Sequence, residues 1–284
     1  MSVQTASLPL VSVGMPVRNG SPYFARAIES VLAQDYPNIE IVVSDNCSED
    51  DTSVLLGEVV ARDQRVRVAR QPEVLTAFDN FAWVLRQAKG KYFLWAAHDD
   101  LRPIDYVSRL VAHLEGHSQA VLAFGDLRVS PRFGAGYRPK AFSYETVGMG
   151  CYARMRKAAH QQCYHIYGVW RNDVLKAIPF IFNPWWPDLP LMISAAGMGE
   201  FHRVDGVLFD YLEMQKTNEE RVKYQDNSDR VCRICRTLKL FRVTFSTVLR
   251  VKGVFAALLA TAFVVEKQFH VAWGLLTGTI QRGP

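Results

Sequence analysis

Between residues 10 and 124, short β-branched or aromatic runs alternate with stretches whose apolar residues recur at helical spacing, and this alternation constrains the fold most. Leu10-Val-Ser-Val13 is an apolar run that stops at Gly14-Met15-Pro16, and Ser21 to Gln34 then carries Ala27, Ile28, Val31 and Leu32 on one helical face. Ile39 to Val43 is a second run, closed by Ser44-Asp45-Asn46. Ser48-Glu49-Asp50-Asp51 then places capping residues ahead of a helical stretch from Thr52 to Ala61. The unit repeats: Arg65 to Ala69 reads as a strand, Phe78 to Ala88 as a helix, Tyr92 to Ala97 as a buried strand, Pro103 to Glu115 as a helix and Ala120 to Phe124 as a fifth strand. Strands that alternate with helices pair in parallel through right-handed crossovers. The pattern therefore predicts a Rossmann-like α/β fold, a mostly parallel sheet flanked by helices, with ligands at the carboxyl ends of the strands.

Composition narrows the function. A chain of 284 residues, 49% of them hydrophobic, can bury one substantial core or two modest ones, which excludes a disordered, collagenous or disulfide-scaffold protein. A net charge of +5 is too mild and too dispersed to call for nucleic acid. Five cysteines, an odd number without framework spacing, read as reduced thiols, and Cys232-x-x-Cys235 lacks the second half of a zinc ribbon. Met1 to Pro9 has neither a basic n-region nor a long apolar core, so no signal peptide is expected and the active part is expected on the cytoplasmic side.

Three loops at the expected carboxyl edge hold unusual residues: Pro16-Val-Arg-Asn-Gly20, Ser44-Asp-Asn-Cys-Ser-Glu-Asp50 and His98-Asp99-Asp100. Adjacent carboxylates after the apolar run Phe93 to Ala97 repel each other and lose hydration, a penalty that a divalent cation removes. Oxygen ligands suit Mg²⁺ or Mn²⁺, with substrate phosphates and water completing the coordination. The alternative is that Asp99 or Asp100 caps the helix beginning near Pro103. Asp45 ends the second strand, where α/β nucleotide-binding folds place an acid that accepts hydrogen bonds from a nucleoside, though a turn aspartate has the same look. The first loop lacks G-x-G-x-x-G, and no P-loop motif occurs anywhere, so a diphosphate must be held by metal and side chains.

Four segments in order, Val11 to Gly20, Ala27 to Tyr36, Glu40 to Asp50 and Gly90 to Asp100, resemble the family-2 glycosyltransferases of GT-A fold. The resemblance is strong over residues 8 to 125 and fades towards residue 215. It implies an inverting transferase that uses a nucleoside-diphosphate sugar and a divalent metal, Mn²⁺ or Mg²⁺. It assigns Asp45 to the base, usually uracil or thymine, and lines the same pocket with Pro16, Arg18 and Asn19. Asp50 matches the second aspartate of its loop, and Asn80 a recurrent asparagine near the donor. His98-Asp99-Asp100 stands where the family has D-x-D. Because His98 replaces the first aspartate, Asp100 is left as the metal ligand and Asp99 as a contact to the donor ribose or sugar.

Inversion requires a base on the far face of the sugar. In similar sequences an acid opens a helix after an aromatic loop. Here Asn183-Pro-Trp-Trp-Pro-Asp188 ahead of Leu189 to Ala196 nominates Asp188 as that base, with Trp185 and Trp186 as sugar-stacking residues on the acceptor side. A helix N-cap would also explain Asp188, and Asp205 and Asp210 are second choices. Arg171 is either a phosphate contact or a local cap.

From Lys216 to Lys252 ten basic residues face four acidic ones, and two mostly apolar stretches follow. Thirteen uncharged residues from Gly253 to Val265 are too few to span a bilayer, so an interfacial helix on anionic lipid is expected, with a basic helix packed on the catalytic domain or a dimer contact as the alternative. The expected organisation is a catalytic domain over residues 1–215, with a donor half (1–125) and an acceptor half (126–215), followed by a basic and then apolar helical segment over 216–284. The acceptor is expected to be a glycan or lipid-linked glycan, and the protein peripheral on the inner face of the membrane. Three rivals are a lipid-binding or scaffold protein driven by the C-terminal segment, a non-catalytic nucleotide- or glycan-binding relative and a sugar-nucleotide nucleotidyltransferase. The latter should carry a Gly-rich basic loop after the first strand, which Pro16 to Gly20 is not.

Overall fold

In a computed structural model the described residues are 8–131, 138–140, 144–161, 163–179, 188–213 and 233–276. The chain divides into two compact units, each drawn from three segments: Met1–Glu145, His165–Lys176 and Phe201–Gln215 form the first, and Thr146–Tyr164, Ala177–Glu200 and Lys216–Pro284 the second.

The first unit holds a mixed sheet with the order β3-β2-β1-β4-β7-β5-β6, and β8 pairs with β5. Its strands are β1 (Val11–Val17), β2 (Ile39–Asp45), β3 (Val66–Arg70), β4 (Tyr92–Trp95), β5 (Ala120–Pro131), β6 (Arg138–Lys140), β7 (Val169–Arg171) and β8 (Glu200–Glu213). The half from β3 to β4 is parallel, as the alternation predicts, and is flanked by α1 (Ser21–Leu32), α2 (Thr52–Arg62), α3 (Ala77–Gln87) and α4 (Tyr106–Gly116). The other half is mixed, in keeping with a mostly parallel sheet: β7 inserts antiparallel between β4 and β5. Every residue of β1 and β4 is buried, as expected for parallel strands covered on both faces.

β1 runs on through Pro16, past the point where the apolar run pauses. Gly14 accepts a hydrogen bond from Ala96 N–H on the β4 side and Val17 from Asn46 N–H on the β2 side. Pro16 therefore turns its nitrogen towards the side where β4 has already ended, and its missing N–H breaks no ladder bond. Arg171 donates to the carbonyls of Ala120 and Leu114, which ties β7 to the start of β5 and takes it away from the phosphate role.

In the second unit, α5 (Cys151–His160), α7 (Asp188–Met198) and α8 (Arg233–Leu276) pack together; α6 (Asn172–Ala177) precedes α7 in the chain and lies almost wholly in the first unit. Arg154 donates to Ala196 O (2.8 Å), and Arg156 pairs with Glu266. α8 breaks at Gly253, whose φ of 83° and ψ of 178° lie outside the range that side chains tolerate. Among the described residues no helix is long and apolar enough to cross a membrane.

Candidate active site

The loops after β1 and β2 are cross-tied. Asn19, at φ 50°, receives Glu49 N–H on its Oδ1 and gives its own N–H to Ser48 Oγ. Gly20 N–H reaches Thr52 Oγ1 (2.9 Å) and Ser21 N–H reaches Asp50 Oδ2 (2.9 Å), while Asp50 Oδ1 accepts Thr52 N–H. One carboxylate thus serves the first turns of both α1 and α2, where orphan N–H groups gather. Burial works against its charge, but the bonds from Thr52 and Ser21 overcome it and pull the carboxyl down to about 2. Asp50 is a brace between two loops.

Asp45, 1% exposed, ends β2. Its Oδ1 accepts Ser48 N–H (2.9 Å) and its Oδ2 accepts Arg70 Nη1 (2.7 Å) and Ser53 Oγ (3.2 Å). Arg70, the last residue of β3, also donates to Ser48 O. The sequence reading missed Arg70, and its place at the end of the neighbouring parallel strand is the signal that finds it. Asn80 lies one layer below, buried, exchanging hydrogen bonds with Ser44, whose hydroxyl also accepts from Gln71. Its amide is engaged with the strand carrying Asp45. Pro16 is buried within β1, whereas Arg18 is partly exposed, 3.8 Å from Glu49, with an Nη1 atom that has no hydrogen-bond partner among the described residues.

The third loop follows β4. His98 packs on Gly20, where an added Cβ would lie 2.9 Å from the imidazole, so the two loops meet at a position that needs glycine. Asp99 is partly exposed and Asp100 is 1% exposed. Asp100 Oδ1 accepts Leu212 N–H (3.1 Å), but the buried Oδ2 has no partner among the described residues. Burial first, and Asp99 second, push this carboxyl up to about 7. Leu101 and Asp210 exchange backbone hydrogen bonds, so β8 braces the acidic loop.

Two arginines that the sequence reading passed over complete the surroundings. Arg102, 5% exposed, donates to Trp95 O (2.7 Å) and lies 5.0 Å over the Phe209 ring. Arg128 forms a forked pair with Asp210, which removes Asp210 from the candidates for a base. Both line a cavity of about 630 Å³ with Arg26, Ser30, Pro103 and Leu208.

A hard divalent cation fits the acidic loop. Asp100 presents a buried carboxylate oxygen without a partner among the described residues, next to a second carboxylate, and a cation relieves both the desolvation and the repulsion.

In the second unit Asp188 is the first residue of α7, and burial pushes its carboxyl up to about 6. The Cys163 thiol is raised to about 12 by burial and by Asp188, while Lys267 acts on that thiol in the opposite direction. Trp185 and Trp186 lie outside the described residues.

The sequence model of glycosyl transferase family 2 matches residues 12–169. An uncharacterized glycosyltransferase of Rickettsia typhi is 37% identical over 98 residues, covering 34% of this chain and 30% of its own length. Glycosyltransferase GlyG of Streptococcus pneumoniae is 33% identical over 92 residues, covering 32% of this chain and 31% of its own. The chain thus spans less than a third of the length of these curated relatives. Among solved structures, S. aureus TarS 1–349 in complex with UDP-GlcNAc superposes with a TM-score of 0.67 over 92% of this chain and 73% of that one, at 16% identity. The mannosyltransferase PcManGT from Pyrobaculum calidifontis, in complex with GDP-Man and Mn²⁺, gives 0.55 over 95% and 79%, also at 16% identity. At such identity these likenesses establish the fold, the GT-A arrangement. Since the matched span takes in all three acidic and polar loops and more than half of the 284 residues, the chain belongs to glycosyl transferase family 2.

Proposed function

We propose that this protein transfers a sugar, with inversion, from a UDP- or dTDP-linked donor to a hydroxyl of a glycan or lipid-linked glycan, and that Asp100 holds Mn²⁺ or Mg²⁺ at the donor. The observation that carries this reading is the buried Oδ2 of Asp100, without a partner among the described residues, at the same sheet edge as Asp45. The nucleotide sugars in the TarS and PcManGT complexes, and the Mn²⁺ in the latter, support it.

Asp45 accepts hydrogen bonds from the base, with its carboxylate kept in place by Arg70 and Ser48. Pro16, Arg18 and Asn19 form the adjoining wall, where the buried Arg18 Nη1 has no hydrogen-bond partner among the described residues. Asn80 acts through Ser44 on the strand that carries Asp45. Asp99, partly exposed beside Asp100, takes the ribose or sugar. When bound, the cation stabilises the charge that collects on the departing diphosphate. Asp188 deprotonates the attacking hydroxyl; a carboxyl raised to about 6 is ionised at neutral pH and more basic than an ordinary one, as a general base requires. On α8 exposed Arg250 and Lys252 are followed in the chain by exposed Val254, Leu258 and Val265, a pattern that supports peripheral docking on the anionic inner face of a membrane.

A thermal-shift panel of UDP, dTDP and GDP, each with and without Mn²⁺, tests the reading, because a ligand that binds only the native state raises the melting temperature. The expected result is a Mn²⁺-dependent shift with UDP or dTDP that Asp100→Asn abolishes. Asp188→Asn should keep that shift and lose turnover. No shift with any nucleoside diphosphate would overturn the proposal. A nucleotide shift without donor turnover in the wild type would favour a binding protein, a reading to which His98 in the first acidic position lends support.

A further inference from the structure

We propose that His113, His117 and His202 form a transition-metal site, with Zn²⁺ as the fitting ion, distinct from the acidic loop and independent of the transferase reading. His113 lies in the last turn of α4, His117 caps that helix, and His202 enters from β8. One ligand atom from each can be chosen so that all lie within 4.8 Å of one another.

Two histidines four residues apart on a helix project from the same face, the spacing that lets a helix supply two ligands to one ion. Here the rings of His113 and His117 are stacked with centroids 4.0 Å apart and planes 14° apart, so the exposed His117 ring must turn for both lone pairs to converge on one ion. His113 Nε2 faces His202 Nδ1 at 2.9 Å, so in the metal-free protein one proton lies between two ring nitrogens. With metal–nitrogen bonds of about 2.0–2.1 Å, tetrahedral ligand atoms stand roughly 3.3 Å apart, so exchanging that proton for an ion needs only a small separation. His117 Nδ1 lies 2.8 Å from His113 O. Donation to that carbonyl fixes the tautomer and directs the lone pair to Nε2, the outer hydrogen bond that metal-bound imidazoles ordinarily have.

The donor set selects the ion. Three imidazoles without a carboxylate suit Zn²⁺, and also Ni²⁺ or Co²⁺, over the oxygen-seeking Mg²⁺ and Mn²⁺. His117 is exposed and His202 is 6% exposed, so the ion would be seated on a buried ligand, with an entry path and a fourth position open to water. α4 follows the acidic loop in the chain, and its 11 residues extend about 16 Å, which puts the cluster at the opposite end of the helix from Asp100. An ion there would clamp the end of α4 to β8, the strand that braces Leu101 and Asp100.

Titration of the metal-stripped full-length protein with Co²⁺, followed by its visible d–d absorption, and with Zn²⁺ against a chromophoric chelator tests the site. One equivalent per chain is expected, with a rise in melting temperature on Zn²⁺. His117→Gln, an exposed position, should weaken Zn²⁺ at least tenfold while leaving Mn²⁺-dependent nucleotide binding unchanged, and Asp100→Asn should do the reverse. Absence of d–d bands, a Zn²⁺ affinity unmoved in His117→Gln, or Zn²⁺ binding lost in Asp100→Asn would each overturn the proposal.

Discussion

Two aspartates in neighbouring loops are perturbed in opposite directions. The folded state holds a proton on Asp100 up to about pH 7, whereas the unfolded chain releases it near 3.8, so the stability this group contributes is complete below 3.8 and is lost as the pH rises through 7. In metal-free protein, Asp100→Asn is therefore expected to be more stable than wild type at pH 8, with the gap closing at pH 4; urea unfolding at both values checks it, and an equal difference at both would contradict it. Asp50 has the reverse sign: its stabilisation is present above 3.8 and is lost as the pH falls through about 2. Removing it in Asp50→Ala leaves the N–H groups of Ser21 and Thr52 without their acceptor, an expected loss of about 1–3 kcal/mol in chemical denaturation. For Asp188, raised to about 6, the transfer rate should climb with pH through 6 and level off above it. A profile flat from pH 5 to 8 would remove it as the base.

At the level of elements, Gly253 and Gly90 do work that no other residue can. The Gly253 backbone at φ 83° and ψ 178° separates the two arms of α8, and Gly253→Ala should lower stability by about 1–3 kcal/mol in urea. At Gly90 an added Cβ would lie 2.6 Å from Leu10 O, so Gly90→Ala should push β4 away from β1 and lower the melting temperature more than Gly57→Ala, where a Cβ meets nothing. The parallel half of the sheet is readable in the sequence because strands buried on both faces appear as apolar runs, as in Phe93-Leu-Trp95. β7 is three residues long and β8 carries Arg203, Asp205 and Asp210, so neither shows a period. The acidic site residues follow from loop position, while Arg70 and Arg128 escape because their partners stand 25 and 82 residues away. His202 escapes for the same reason, 89 residues from His113.

For the whole molecule, the exposed apolar face of α8 predicts binding to vesicles rich in anionic headgroups. The double substitution Val254→Glu with Leu258→Glu, at positions 60% and 56% exposed, should reduce flotation severalfold without lowering the melting temperature. Equal flotation of the variant and wild type would end the membrane reading. The interleaved segments also fix an order of events during synthesis. β8, which pairs with β5, donates to Asp100 and supplies His202, comes from residues 200–213, after two of the three segments of the second unit have been translated. A nascent chain stalled at residue 195 would carry every parallel strand and all three loops of the site, yet the loop at Asp100 would lack its β8 brace. On the ribosome, nucleotide binding should therefore emerge only once residue 213 has cleared the exit tunnel.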